Sequence, residues 1–215
     1  MKVLLTGFAP FGGEAINPSY EAIKALPALI GDTEIVKIEL PTVFNKSINV
    51  LYKKIKETNP DIVLCIGQAG GRYDLTLERV AINLDDARIP DNEGNQPIDE
   101  PVYLDGETAY FSNLPIKTMV AALRKNNIPA SVSNSAGTFV CNHIMYGLMH
   151  FIKQNNLKIR GGFMHVPYIA EQVIGKGNMP FMTLEMISEG IMCAVRAAAA
   201  TEADTDLKSI EGKLD

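Results

Sequence analysis

The strongest constraint on this chain is a rhythm of short apolar runs separated by longer helical periods. Val3 to Leu5, Asp61 to Ile66 and Phe163 to Val166 read as strands buried on both faces. Residues 34 to 40, Leu75 to Ile82 and 130 to 134 read as further strands. Helical periods begin at Asn17-Pro18 and run over 45 to 58, 115 to 127, Thr138 to Asn155 and 182 to 200. At the first of these Asn caps, and Pro takes the first helical position, where its missing N–H costs nothing. Strands separated by helices of this length need crossover connections, so the sheet is expected to be mostly parallel and covered on both faces. In such sheets sites gather beyond the C-terminal ends of the strands. Here those ends are the loops after residues 6, 66, 134 and 166.

A chain of 215 residues with no repeat and no interdomain linker fits one domain. Apolar residues at 47% and charged residues at 21% are globular values, which excludes disorder as a global description. No apolar run approaches the roughly 18 residues of a membrane span, and the best candidate, Ile191 to Ala200, is broken by Arg196. The opening Met1-Lys2-Val3-Leu4-Leu5-Thr6-Gly7 is too short an apolar stretch for a signal peptide. Three cysteines with no close pair make no disulfide framework. The expectation is a soluble, cytoplasmic chain. A net charge of −5 argues against nucleic-acid and anionic-membrane partners. Residues 201–215 hold five acids and two lysines, so most of that charge belongs to a segment expected to be an acidic, flexible tail beyond a catalytic domain of residues 1–200.

The loops then have to be weighed for chemistry. Gly67-Gln68-Ala69-Gly70-Gly71 follows a strand but has neither a P-loop ending nor dinucleotide spacing, and a turn needing positive φ is the favoured reading. His143 and His150 lack zinc spacing, and Asp91-Asn92-Glu93-Gly94-Asn95 puts its glycine too early for a calcium loop. No metal site is expected.

Cys65 and Cys193 sit among apolar neighbours and read as core. Cys141 lies in the first turn of the helix that follows Ser135-Ala136-Gly137-Thr138, where the helix dipole favours thiolate. Two readings stand evenly: a nucleophile, or a continuation of the apolar stripe Ile144, Met145, Leu148 and Ile152. At about 100° per residue, His143 and His150 project away from Cys141. That leaves His165, at the end of a buried strand, as the imidazole partner if there is one. The third member of such a set is a carboxylate or amide that orients the ring. Glu78 is an acid inside an apolar strand, and its alternative is a surface ion pair with Arg79.

These residues resemble those of the pyroglutamyl peptidase I (pyrrolidone-carboxylate peptidase) family of cysteine peptidases. The resemblance runs from Val3 to about residue 195. It rests on Leu5-Thr6-Gly7-Phe8-Ala9-Pro10-Phe11-Gly12-Gly13, on Gly67-Gln68-Ala69-Gly70-Gly71 with Glu78-Arg79-Val80-Ala81-Ile82-Asn83, and on Ile89-Pro90-Asp91-Asn92-Glu93-Gly94. It continues through Ser135-Ala136-Gly137-Thr138-Phe139-Val140-Cys141-Asn142-His143 and His165-Val166-Pro167-Tyr168. The resemblance implies a three-layer α/β/α single domain and a Cys141–His165–Glu78 triad acting through a thioester on peptides with an N-terminal pyroglutamate. It implies no cofactor and commonly a homotetramer. Phe11 and Phe139 match an aromatic pair that sandwiches the lactam, with Phe8 nearby and Val140 beside them. Asn17 and Gln68 match positions whose main chain bonds the lactam, and the main-chain N–H groups of Arg88 and Cys141 match an oxyanion site. Ala9 departs from the acidic residue often found there, and Tyr20 from a Trp frequent in bacterial members. The irregular stretch from Leu84 to Gly106 is expected to flank the substrate pocket. The rival readings are a nucleoside phosphorylase, for which the glycine loops offer few basic side chains, and a non-cutting pyroglutamyl-peptide binder, against which a filled triad speaks.

Overall fold

The computed structural model describes residues 1–211. Its elements are β1 (Lys2–Phe8), α1 (Pro18–Lys24), β2 (Leu29–Ile30), β3 (Thr33–Leu40), α2 (Lys46–Thr58), β4 (Ile62–Gln68), β5 (Leu75–Glu78), β6 (Val80–Ile82) and β7 (Ala109–Phe111). They continue with α3 (Ile116–Lys125), β8 (Ala130–Ser133), α4 (Val140–Gln154), β9 (Arg160–Val166), α5 (Ala170–Val173) and α6 (Leu184–Ala200). Seven strands form one sheet in the order β2-β3-β1-β4-β9-β5-β8. Alternation along β1 shows how it is covered. Val3 and Leu5 enter the cluster built with α1, α3 and α6, whereas Leu4 enters the one built with α2 and α4. A strand buried on both faces cannot alternate polar and apolar residues, which is why β1, β4 and β9 read as continuous apolar runs. The result is a three-layer α/β/α arrangement with a mostly parallel sheet. Among the described residues no helix is long and apolar enough to cross a membrane.

Two expectations change. The strand expected over Leu75 to Ile82 breaks at Arg79. Before the break β5 pairs with β9 and β8; after it β6 pairs with β7 in a separate two-stranded sheet. Arg79 serves both sheets, because its N–H donates to the Ser133 carbonyl and its own carbonyl accepts from Ser112. The sheet also reverses. β1, β3, β4 and β9 run parallel, but β5 meets β9 antiparallel and carries β8 with it. The loop after residue 134 therefore leaves a strand of opposite sense, and residues 134–139 return the chain to the edge where β4 and β9 end.

The Leu84 to Gly106 stretch has no helix or strand, yet it is tied down. Asp85 and Glu100 exchange backbone hydrogen bonds, and the Asp91 carboxylate accepts from the N–H groups of Phe44, Glu93 and Asn95. Burial works to raise the Asp91 carboxyl, but those bonds together hold it below its ordinary value. In the acidic segment, Asp206 accepts from the N–H groups of Lys117 and Thr118 at the start of α3, and Glu211 pairs with Arg124 at 2.8 Å. Asp215, counted with that segment's charge, lies outside the described residues.

Candidate active site

The site is built where β4 and β9 lie side by side. Gly67 is opposite His165 in their register. A Cβ at Gly67 would come within 2.8 Å of Cys141 Sγ and 2.7 Å of the Phe163 ring, so only glycine lets α4 seat the thiol there. His165 and Phe163 face the same side, their ring centroids 4.8 Å apart. From the antiparallel neighbour β5, Glu78 Oε1 lies 2.7 Å from His165 Nδ1. With Nδ1–H donating to that carboxylate, Nε2 is left as the ring's acceptor nitrogen. The strand reversal thus delivers the acid to the imidazole edge. The alternative pairing of Glu78 with Arg79 does not form, since Arg79 Nε donates to Asn134.

Cys141 is the second residue of α4 and is half-buried. Phe139 caps the helix in extended conformation with no side-chain cap, which leaves first-turn N–H groups without side-chain acceptors. Bonds from the long loop lock this terminus in place. The Asp86 N–H donates to Thr138 O at 2.9 Å, and Thr138 Oγ1 donates to Asp86 O at 2.8 Å. Asn142, fully buried, accepts from Ile82 N–H and donates to the carbonyls of Ile82 and Leu84. Arg88 follows on this tethered loop, exposed at a bend two residues beyond Asp86.

Opposing influences meet at the Cys141 thiol. Burial pushes the Cys141 thiol up to about 12, the Glu78 charge adds to this, and the Arg72 guanidinium opposes it. The helix terminus acts toward thiolate but is the smaller influence, typically about 0.3–1 kcal/mol. Burial lowers His165, while the bond and charge of Glu78 work in the opposite direction. Burial would raise Glu78, but His165 and Arg72 outweigh it and hold the carboxyl below its usual range.

The aromatic residues sort themselves by exposure. Phe11 and Phe139 are half-buried, with centroids 6.1 Å apart and planes inclined by 37°. Phe8 and Val140 are buried in the core cluster under α2 and α4. The Asn17 side chain is committed to capping α1 and to the Ala9 carbonyl. Gln68 Oε1 accepts from Gln172 Nε2 at 2.8 Å, and Gln172 also donates to Ile16 O and Glu14.

Sequence reasoning passed over Arg72, Asn142 and Gln172. Arg72 Nη1 lies 2.7 Å from Glu78 Oε1. The signal was present: a buried acid wants a cation, and strand alternation turns Arg79 away from it.

A second imidazole–carboxylate pair lies on another face of α4. His143 Nδ1 is 2.7 Å from Asp85 Oδ2, and its Nε2 accepts from Asn45 N–H at 2.8 Å. Asp85 borders a polar cavity of about 390 Å³ lined also by Asn45, Gln96 and Glu100. Phe44 stands between this pair and Phe139, edge-on to both rings.

Comparison with known proteins gives one consistent match. The family model for pyroglutamyl peptidase matches residues 1–201. The pyrrolidone-carboxylate peptidase of Alkaliphilus oremlandii is 58% identical over 95% of this chain and 96% of its own. That of Clostridium botulinum is 58% identical over 100% of both chains. The crystal structure of pyroglutamyl peptidase I from Bacillus amyloliquefaciens superposes with a TM-score of 0.93 at 52% identity, covering 97% of this chain and 98% of that one. Pyrrolidone carboxyl peptidase from Pyrococcus furiosus gives 0.89 at 46% identity, over 93% and 98%.

Proposed function

The chain belongs to the pyroglutamyl peptidase family, and from that premise we propose that it hydrolyses the bond after an N-terminal pyroglutamyl residue, with Cys141 as nucleophile, His165 as base and Glu78 as orienting carboxylate. The supporting observation is the bond of 2.7 Å between Glu78 and His165, set opposite the glycine against which Cys141 Sγ packs.

Cys141 Sγ attacks the pyroglutamyl carbonyl carbon as its proton passes to His165 Nε2. Burial works against a free thiolate at Cys141, so base and nucleophile act together. The oxyanion meets the main-chain N–H groups of Cys141 and Arg88, each worth roughly 3 kcal/mol of barrier. Collapse breaks the C–N bond, and His165 gives its proton to the departing amine. Water then loses a proton to His165 and attacks the thioester; the C–S bond breaks and the thiol re-forms. Glu78 holds the ring tautomer and stabilises the transient imidazolium.

Specificity follows from the substrate's chemistry. A pyroglutamyl group has no ammonium, so the pocket needs apolar faces with one donor and one acceptor rather than a carboxylate. Phe11 and Phe139 supply the faces, and the main chain at Asn17 and Gln68 supplies the polar groups. Phe8 and Val140 back the pocket from the core. A ring stacked between two others needs about 7 Å, twice the contact distance of carbon atoms. The pair at 6.1 Å therefore opens slightly on binding. Residues 1–200 form the catalytic unit, acting in the cytoplasm as a homotetramer whose mass in solution checks the assembly. Incubation of the reduced protein with a fluorogenic pyroglutamyl amide should release the fluorophore; an inert reduced protein would overturn the reading.

A further inference from the structure

Glu78 carries two partners on one oxygen. Its Oε1 lies 2.7 Å from His165 Nδ1 and 2.7 Å from Arg72 Nη1. The same guanidinium nitrogen reaches Thr76 Oγ1 and lies 3.4 Å from His165 Nδ1, while Nη2 donates to the Ser135 carbonyl at 3.3 Å. The Glu78 side chain is fully buried, and that of Arg72 keeps 29% exposure. A fully buried carboxylate facing only a neutral imidazole is an uncompensated charge, which either takes up a proton or draws one onto the ring. Both outcomes disable a base that must start neutral beside an ionised acid.

We propose that Arg72 is a positioning residue that acts as the resting countercharge of Glu78, keeping the carboxylate ionised while His165 stays neutral and open to the Cys141 proton. This rests on the proposed hydrolysis. The titratable groups in this part of the site are Glu78 from β5 and Arg72 from the loop after β4, which act on the ring, with Cys141 from α4 and Cys65 from β4, which act on each other. Only the first two are charged at neutral pH, with opposite effects: Glu78 pulls a proton onto the ring and Arg72 repels it. The Ser135 and Thr76 bonds fix the guanidinium so that its charge falls on Oε1. Arginine suits this place because its planar fork engages several acceptors at once.

The test compares wild type, Arg72→Gln and Arg72→Lys by pH profile on the fluorogenic amide and by ¹⁵N imidazole titration of His165 without substrate. In Arg72→Gln the ring titrates at higher pH than in wild type. The acid limb of kcat/KM moves the same way, so the loss is roughly tenfold at about pH 6 and shrinks at alkaline pH. Arg72→Lys keeps the charge and leaves the limb near its wild-type place, with a smaller loss at every pH from the missing fork. A pH-independent loss in Arg72→Gln, or an unmoved imidazole titration, overturns the proposal. If wild type is inert toward the amide, the proposed hydrolysis fails, and the imidazole titration still decides the role of Arg72.

Discussion

Two imidazole–carboxylate pairs flank α4 with the same 2.7 Å bond, His165 with Glu78 and His143 with Asp85, and both are buried. They differ in what each ring does with its other nitrogen. His143 Nε2 is taken by the backbone N–H of Asn45, so that ring ties the long loop to α2 and α4 and has no lone pair left for chemistry. For His165 the structure records bonds at Nδ1 only, and Gly67 opposite it makes room for a thiol. The acids differ too. Glu78 has a guanidinium beside it, whereas among the described residues no lysine or arginine pairs with Asp85. A short bond between a carboxylate and a histidine is therefore a common structural device. The second nitrogen and the countercharge decide whether it serves packing or catalysis.

That contrast can be broken by changing each acid to its amide. Glu78→Gln should lower kcat by about 10³-fold or more, because an amide no longer holds the Nδ1–H tautomer or stabilises the imidazolium. Asp85→Asn should leave kcat within roughly threefold and cost stability instead, about 1–3 kcal/mol by denaturant melting, as a charge-assisted buried bond is weakened. Similar losses of kcat in both variants would erase the distinction. The smallest effect is on pH. Burial lowers His165 from 6.5, so the neutral base persists below the pH at which an exposed histidine charges, and the acid limb of kcat/KM should fall below that value. Stability follows with the same sign. As the pH drops through about 6.5 the unfolded chain takes up a proton at this histidine that the folded chain refuses, so melting should become easier toward acid. A limb above 6.5 would mean that Glu78 outweighs burial.

Much of this was legible in the sequence because each legible feature is local. The apolar runs of β1, β4 and β9 mark strands covered on both sides, and helical angles alone remove His143 and His150 from Cys141. What stayed hidden depends on pairing. No residue pattern says that β5 meets β9 antiparallel, since the connection lengths suit either sense. The break at Arg79 carries no glycine or proline; it arises because β8 and β7 pull successive residues into different sheets. Arg72 was missed because a loop, not a helix or strand period, brings it to Glu78. At Cys141 the helix terminus acts toward thiolate and desolvation acts against it, and the second influence is not readable from one helical turn.

The central claim, that Cys141 is acylated by the substrate, is tested most directly by intact and peptide mass spectrometry after acid quench of the first turnovers on a pyroglutamyl amide. A pyroglutamyl adduct on the peptide holding Cys141, absent from Cys141→Ala, is the predicted result. An adduct on Cys65 or Cys193, or undiminished hydrolysis by Cys141→Ala, would contradict it.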